Sequence, residues 1–228
     1  MVVSRFLLIT ILLLNFSCSS DVTLDFPDNF PDNNCLAGQG SIVSETRDLE
    51  SFHSIDNAIF ADILLFQGTQ EDVIIEAQQN ILNELKTEVV SGELRIRLNR
   101  CVDITQAVKL HITIPEVKKI TMTGVGDIIA QNEFDLANLN VVLTGVGDFI
   151  LQGTINTLDI LLTGVGNVKA FEVDSEICNV NITGVGDAEV FVNDKLNVTI
   201  TGTGTVFYKG DPTINSKVTG IGSIVDSN

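Results

Sequence analysis

The sequence predicts an all-β solenoid built from stacked coils of about 18–21 residues. Six copies of a Thr-Gly-x-Gly motif recur in its C-terminal half, and their starts are separated by 21, 19, 20, 18 and 18 residues. The segments before the motifs alternate apolar and polar residues, which is typical of strands with one buried face. A period near twenty with slight variation indicates stacked coils whose insertions lie in turns. Trp is absent and Tyr occurs once, so the strands rely on branched aliphatic residues.

Residues 1–17 have the pattern of a signal peptide. Arg5 supplies a positive charge, and the apolar run Phe6–Leu14 is too short to span a bilayer. Cys18 follows, as in bacterial lipoproteins whose cysteine is acylated, although Asn15 stands where such signals usually carry an aliphatic residue. We expect Cys18 to be lipidated and to anchor the chain to a membrane. The alternative is ordinary cleavage nearby and a soluble exported protein.

Residues 18–34 read as an acidic tether. Asp residues recur through this segment, and Pro27 and Pro31 are incompatible with a helix or a central strand. The segment lacks the alternating oxygen ligands, central Gly and bidentate Glu of a known calcium loop. A solvated linker is therefore favoured.

The residues before each motif fall into alternating columns. Three columns are almost entirely aliphatic and are predicted to face the core: Met122, Leu143, Leu162, Ile182, Ile200 and Val218; Ile120, Val141, Ile160, Val180, Val198 and Ser216; Lys118, Leu139, Leu158, Cys178, Leu196 and Ile214. The column between them is polar and is predicted to face solvent: Lys119, Asn140, Asp159, Asn179, Asn197 and Asn215. Stacked coils of this kind share one continuous core.

The positions of the cysteines in the sequence predict different roles for them. With Cys18 acylated, three remain in an oxidising compartment. Cys178 falls in an inward column and should be a small buried hydrophobe. Cys35 and Cys101 are the candidate disulfide, which would tie the start of the domain to the segment before the repeats.

The glycines of the six motifs are predicted to form the corners of the coils, because Gly accepts positive φ and close backbone approach. They are Gly124, Gly126, Gly145, Gly147, Gly164, Gly166, Gly184, Gly186, Gly202, Gly204, Gly220 and Gly222. The residue between each pair is predicted to point inward at the bend; these are Val125, Val146, Val165, Val185, Thr203 and Ile221.

An acidic ladder should follow the corners, because Asp127, Asp148 and Asp187 occupy equivalent positions in three copies. Calcium-binding nonapeptide repeats place two such units in each coil, whereas this chain has one, and Asn167 interrupts the acids. A structural corner is favoured over a metal site. Asp127, Asp148 and Asp187 remain the candidate ligands if a cation binds.

Residues 35–117 are predicted to form irregular first coils and a cap of one solenoid domain that spans 35–228, with residues 118–228 as its repeat part. Four segments look like strands, and a helical turn is expected between residues 80 and 88. The strand candidates are Phe60–Phe66, Val73–Ala77, Leu94–Leu98 and Leu110–Ile114. Atypical terminal units shield the core of a solenoid from edge pairing.

The order of several segments resembles the putative auto-transporter adhesin family called the head GIN domain, over about residues 35–226. They are Cys35-Leu-Ala-Gly-Gln-Gly-Ser-Ile-Val-Ser-Glu-Thr-Arg, Phe52-His-Ser-Ile, Glu88-Val-Val-Ser-Gly-Glu-Leu-Arg-Ile and the Thr-Gly-Val-Gly-Asp series. The resemblance implies a right-handed parallel β-helix-like fold and an export signal, and the family is common among lipoproteins of Bacteroidetes-like bacteria. The name adhesin in this family reflects the fold, so it carries little weight on function.

The net charge and the absence of certain sequence motifs disfavour several classes of function. A net charge of −17 opposes nucleic-acid binding, and no metal or cofactor motif is evident. No Arg follows Arg100, and the later Lys residues do not pair with the Asp ladder in the repeat register, so an enzyme is disfavoured. We expect a non-catalytic lipoprotein of the outer membrane or cell surface, with the periplasmic side also open. It would be an adhesin or binding module for an extracellular protein or glycan. A structural envelope component and a polysaccharide-active β-helix enzyme are the alternatives.

Overall fold

The computed structural model describes residues 35–228, which form an all-β solenoid of about five turns. Its elements in chain order are β1 Leu36–Ala37, β2 Ile42–Thr46, β3 Ser54–Asn57, β4 Asp62–Gln67, β5 Asp72–Gln78, α1 Gln79–Leu82, β6 Leu85–Val90, β7 Glu93–Leu98, β8 Val102–Asp103, β9 Lys109–Ile114, β10 Lys119–Met122, β11 Ile128–Ala130, β12 Phe134–Leu143, β13 Phe149–Leu162, β14 Val168–Ile182, β15 Ala188–Ile200, β16 Thr203–Lys209, β17 Thr213–Val218 and β18 Ile221–Asp226. The predicted parallel solenoid is confirmed. The signal peptide, Cys18 and the acidic tether lie outside the described residues.

The repeats stack in the register that the sequence predicts. Strands β10, β12, β13, β14, β15 and β17 pair in parallel in that order. Lys119 lies beside Asn140, and the same column continues through Asp159 and Asn179 to Asn197 and then to Asn215. A second parallel series, on the other side of each Gly corner, joins β11, β13, β14, β15, β16 and β18.

One continuous core fills the interior of the coils. Leu143, Leu162, Ile182 and Ile200 are fully buried and form one of its stacks. Cys178 is also fully buried, and burial raises the pKa of its thiol well above the ordinary value. The thiol therefore stays protonated and packs as a small apolar group.

The residue between the two corner glycines points outward, so the prediction that it faces the core is wrong. Val125, Val146, Val165 and Val185 are between 38% and 52% exposed, and Ile221 is 76% exposed. Their backbones form single parallel bridges from coil to coil. The corner thus presents a line of aliphatic side chains to solvent.

Close backbone contact explains this arrangement. A Cβ atom added to Gly145 would lie 1.8 Å from the carbonyl oxygen of Gly124 in the preceding coil. Gly147 has a φ of +146°, in the region that only Gly adopts readily. The backbone at the two glycines contacts the neighbouring coil. The side chain between them therefore points away from the core.

The last two motifs have a different backbone conformation from the first four. Positive φ at the second glycine is found in the first four copies, at Gly126, Gly147, Gly166 and Gly186, and is absent at Gly204 and Gly222. Strand β16 instead begins within its motif at Thr203, and β18 begins at Ile221.

The predicted Asp ladder is a chain of hydrogen bonds between coils. The Oδ1 atom of Asp127 accepts a bond from the backbone N–H of Asp148 at 2.8 Å, and Oδ1 of Asp148 accepts one from Asn167 at 2.8 Å. Asn167 then accepts from Asp187, and Asp187 from Thr205. Each side chain satisfies a backbone donor of the next corner, so Asn serves in this position as well as Asp.

At Asp148 the ladder also contains an ion pair. Nζ of Lys169 lies 2.7 Å from Oδ2 of Asp148, so the expectation that no Lys after Arg100 pairs with the Asp ladder is wrong. Partial burial raises the pKa of the Asp148 carboxyl, but the bonds from Lys169 and Asn167 lower it by more, so the pKa lies below its ordinary value. This ladder step therefore remains ionised down to acidic pH.

The N-terminal region continues the solenoid but in a different order from the chain. Strands β3 and β4 pair in parallel with β10 and β11 on one side and with β7 and β9 on the other. The coil of residues 54–67 therefore lies between the coil of residues 93–114 and the first repeat. Antiparallel strands β2, β5 and β6 complete this end, and a turn with positive φ at Ser91 and Gly92 joins β6 to β7.

Cys35 and Cys101 are joined by a disulfide in the structure. They immediately precede β1 and β8, respectively, and these two strands form a two-stranded parallel sheet. The bond links positions 66 residues apart, and closing a loop of that length restricts the unfolded chain.

The ladder predicts a specific pattern of stability changes at Asp127. Asp127→Ala should lower the free energy of unfolding by about 1–3 kcal/mol, because the N–H of Asp148 loses its acceptor in a part-buried corner. Asp127→Asn keeps the Oδ1 atom and should change stability by less than about 1 kcal/mol. Chemical denaturation of the two variants measures the difference. Equal losses in both variants, or a wild-type stability that rises with added calcium, would contradict a structural ladder.

Candidate functional site

The outer face of the repeat sheet carries a shallow groove. Two outward columns line it: the predicted polar column from Lys119 to Asn197, and a second column two residues further along each strand. The second column begins at Thr121, outside the lining, and contributes Val142, Leu161, Asn181 and Thr199 to the groove. The groove has a volume of about 530 Å³ and crosses strands β10, β12, β13, β14 and β15. It lies on the most regular part of the fold, which holds its walls in fixed register.

Amide side chains form a ladder along the groove. Nδ2 of Asn179 donates to Oδ1 of Asp159 at 2.6 Å, and Nδ2 of Asn197 donates to Oδ1 of Asn179 at 2.6 Å. A primary amide has two N–H donors and an oxygen with two lone pairs. Within residues 35–228 these contacts use one donor and one lone pair of Asn179. The other donor and lone pair are available to a ligand in the groove.

The groove also contains aliphatic side chains on a solvent-facing surface. Val142 and Leu161 are half-buried neighbours in the second outward column, between Thr121 and Asn181. Isolated apolar residues are common on protein surfaces, so what distinguishes this pair is its place beside the amide ladder in one groove. The signal was present in the sequence, since the column two residues after the Asn column departs from polar residues at these two positions.

Charge in the groove is sparse and of both signs. Lys119 lies at the end nearest the N-terminal coils, and Asp159 lies two coils away in the same column. One Lys cannot neutralise a polyanion. The groove therefore offers hydrogen bonds and apolar contact, with little net charge.

A second groove of about 440 Å³ lies on the antiparallel part of the N-terminal region and is lined in part by Ser44, Phe66, Glu76 and His111. Nε2 of His111 lies 3.4 Å from Oε1 of Glu76, a pairing that the sequence did not predict. Ser44 lies beside Glu76 on the neighbouring strand, so the carboxylate stands between the hydroxyl and the imidazole. A hydrolytic triad needs the imidazole in that middle place, so this order does not activate Ser44.

The structure separates the other candidate residues from these grooves. The Asp127, Asp148 and Asp187 carboxylates lie at the Gly corners, where they accept backbone hydrogen bonds. Between residues 35 and 228 no cluster of three His, Cys, Asp or Glu side chains is arranged to hold a metal ion. In the same span, no helix has both the length and the apolar character needed to cross a membrane.

Several solved structures share this fold. A putative adhesin from Bacteroides fragilis has a TM-score of 0.71 at 24% identity and covers 84% of this chain and 99% of its own. A putative lipid binding protein from Parabacteroides distasonis has a TM-score of 0.55 at 21% identity, with coverage of 85% and 99%. A putative adhesin from Parabacteroides merdae has a TM-score of 0.52 at 19% identity, again with coverage of 85% and 99%. At these identities the likeness supports the fold alone.

Sequence comparison identifies the family. None of the curated proteins matches the chain. The family described as "Putative auto-transporter adhesin, head GIN domain" matches residues 51–212, which is more than half of the chain. The order of the repeat motifs and of the segments before them had indicated the same family. The chain belongs to the putative auto-transporter adhesin, head GIN domain family.

Proposed function

We propose that this protein is a non-catalytic, adhesin-like binding module of the cell envelope that holds an extended polar ligand in the groove of its repeat sheet. The observation that carries the proposal is the pairing of the amide ladder with the outward aliphatic residues Val142 and Leu161 in one groove. The family description agrees with a binding role, but because that name reflects the fold, the proposal rests on the groove.

The geometry of the ladder favours a chain-like ligand. Equivalent side chains on consecutive coils lie one strand spacing apart, about 4.8 Å. The groove thus repeats the same donor and acceptor groups at a fixed interval. A polymer with regularly spaced hydroxyl groups, such as a polysaccharide, can use several rungs at once, and each weak contact then adds to the affinity.

The aliphatic pair adds contact with the apolar faces of such a ligand. Val142 and Leu161 are half-buried, so a bound chain can cover the remaining apolar surface and displace water from it. Aromatic side chains are absent among the residues that line this groove, so binding would rest on the ladder and on these two residues. We expect modest affinity for a single site.

The proposed function includes export of the protein and its attachment to a membrane by a lipid. The signal peptide and Cys18 support a lipid-anchored protein of the outer membrane or cell surface, and a lipidated N-terminus would leave the solenoid free to face outward or into the periplasm. Residues 18–34 would act as the tether between lipid and domain. A module held at a membrane can bind a polymer through many copies, which compensates for weak single sites.

The binding role predicts a loss of affinity on replacing one groove residue. Leu161→Ser should lower retention on a printed array of polysaccharides and matrix glycoproteins by at least about tenfold, because it removes apolar contact at the centre of the groove. Ile150→Ser is the matched control, since Ile150 is a half-buried aliphatic residue of the same strand on a different outer face.

Three outcomes would contradict the proposed function. Binding that Leu161→Ser and Ile150→Ser reduce equally would place the ligand elsewhere. Absence of binding to the whole array would favour a structural component of the envelope. Cleavage of a bound polysaccharide would make the protein an enzyme.

The anchor predicts labelling that depends on one residue. Cells that express the full chain and are fed a fatty-acid analogue should label the protein, and Cys18→Ala should abolish the label because the acylated thiol is removed. Cys178→Ala is the control, since this thiol is buried and should not accept a lipid. Unchanged labelling of Cys18→Ala would overturn the lipoprotein assignment.

A further inference from the structure

The two ends of the solenoid differ in how they close. At the N-terminal end, α1 and β6 cover the core, and Ile81, Leu82 and Leu85 are nearly fully buried. At the C-terminal end, β17 pairs only with β15, and β18 only with β16, within the described residues. Among residues 35–228, no coil covers the inward columns of the repeat at this end.

Two positions that are fully buried in the preceding coil are exposed in the last one. Ile214 is 39% exposed and Val218 is 41% exposed, whereas their equivalents Leu196 and Ile200 are fully buried. Apolar side chains and an unpaired strand edge at one place are the two features that lead proteins to associate through sheets.

The unpaired backbone groups fall on the same residues as the exposed side chains. The N–H of Thr219 bonds to the carbonyl of Ile200 in the preceding coil. Because successive N–H groups in a strand point to opposite sides, those of Ile214, Ser216 and Val218 point to the open edge. These three residues are also the inward-facing residues of β17.

We propose that the C-terminal end face is a self-association surface, in which β17 pairs antiparallel with β17 of a second copy. The two-fold axis passes midway between the two Ser216 residues. In that register Ser216 lies opposite itself, and Ile214 lies opposite Val218 of the second copy. All three residues with edge-facing N–H and C=O groups then form direct pairs, and the apolar side chains meet on the core side. A two-fold interface uses the same surface of both copies and closes without forming a filament.

The sequence of β17 is complementary to itself in this arrangement. On the outer face, Asn215 lies opposite Lys217 of the second copy, and Thr213 opposite Thr219. The strand has no Asp or Glu, although the whole chain has a charge of −17. Acidic repulsion is therefore low at this strand. This interface is separate from the ligand groove and does not depend on the ligand.

Cysteine cross-linking of the full chain in intact cells tests the register. Directly opposed residues in an antiparallel pair have Cα atoms about 5.5 Å apart when their backbones exchange hydrogen bonds, which is within the range of a disulfide. Ser216→Cys should therefore yield a covalent dimer under mild oxidation. Among residues 35–228 no native thiol competes, because Cys178 is buried and Cys35 is bonded to Cys101. The Cys18→Ala background removes the remaining thiol of the chain.

Thr213→Cys is the matched control on the same exposed strand. In the proposed register the two copies of residue 213 are six residues apart along the paired strands, about 20 Å, so this variant should remain monomeric on a non-reducing gel. Adding Ile214→Lys to Ser216→Cys should reduce the dimer at least about fivefold, because it places a charge on the apolar side of the interface. Ile214 is exposed in the single chain, so the fold should persist, as far-ultraviolet circular dichroism would show.

The alternatives give different results. Equal cross-linking of Thr213→Cys and Ser216→Cys would show collision without a fixed register and would overturn the proposal. Absence of a dimer with Ser216→Cys would do the same. A cross-link from Ser216→Cys to a different protein would assign the end face to another partner.

Discussion

The close contact between glycine backbones of consecutive coils is the constraint on which the repeat part of this protein depends. A Cβ atom on Gly145 or Gly164 would lie 2.0 Å or less from a carbonyl oxygen of the preceding coil. At these distances the main chains of consecutive coils are in direct contact, so no side chain fits between them. It repeats along the whole series of motifs, so each coil takes its position from the one before.

The hydrogen-bonded ladders and the groove result from this stacking of each coil on the one before. Once two corners are in contact, the residues before them align coil by coil, which puts aliphatic residues in one core and amides on one outer face. The same alignment brings the Oδ1 atom of Asp127 to the N–H of Asp148. It also brings Asn179 within hydrogen-bond distance of Asp159. A surface with regularly spaced polar groups is thus a by-product of the stacking that stabilises the fold, and a binding module can use it.

The repeat strands were predictable from the sequence because their periodicity is local. Alternation with a period of two identifies which face is buried, and a recurring motif sets which residues become neighbours. The same reasoning failed at Val146, since the direction of a side chain at a tight corner depends on the backbone dihedrals of the flanking glycines, and these are invisible in a hydropathy pattern. The helical turn expected between residues 80 and 88 is present but begins at Gln79.

The N-terminal coils were harder to predict because their pairing is not local. The coil of residues 54–67 lies between the coil of residues 93–114 and the first repeat, and no period in the sequence encodes that order. The sequence predicted that the Asn column faces solvent but not that it lines a groove. The change to aliphatic residues at Val142 and Leu161 is visible in the sequence, yet only the strand pairing shows that both columns share one groove. The Glu76–His111 pair depends on antiparallel pairing between β5 and β9, which only the tertiary structure reveals.

The most direct test of this account compares the free energy of unfolding of Gly145→Ala with that of Val146→Ala. The new methyl group of Gly145→Ala would meet the backbone oxygen of Gly124, which cannot move without displacing a coil, so the loss should be at least about 2 kcal/mol. Val146 is 48% exposed, so Val146→Ala should cost less than about 1 kcal/mol. A Gly145→Ala variant as stable as the wild type, or a larger loss for Val146→Ala, would contradict the claim that backbone contact at the corners positions the coils.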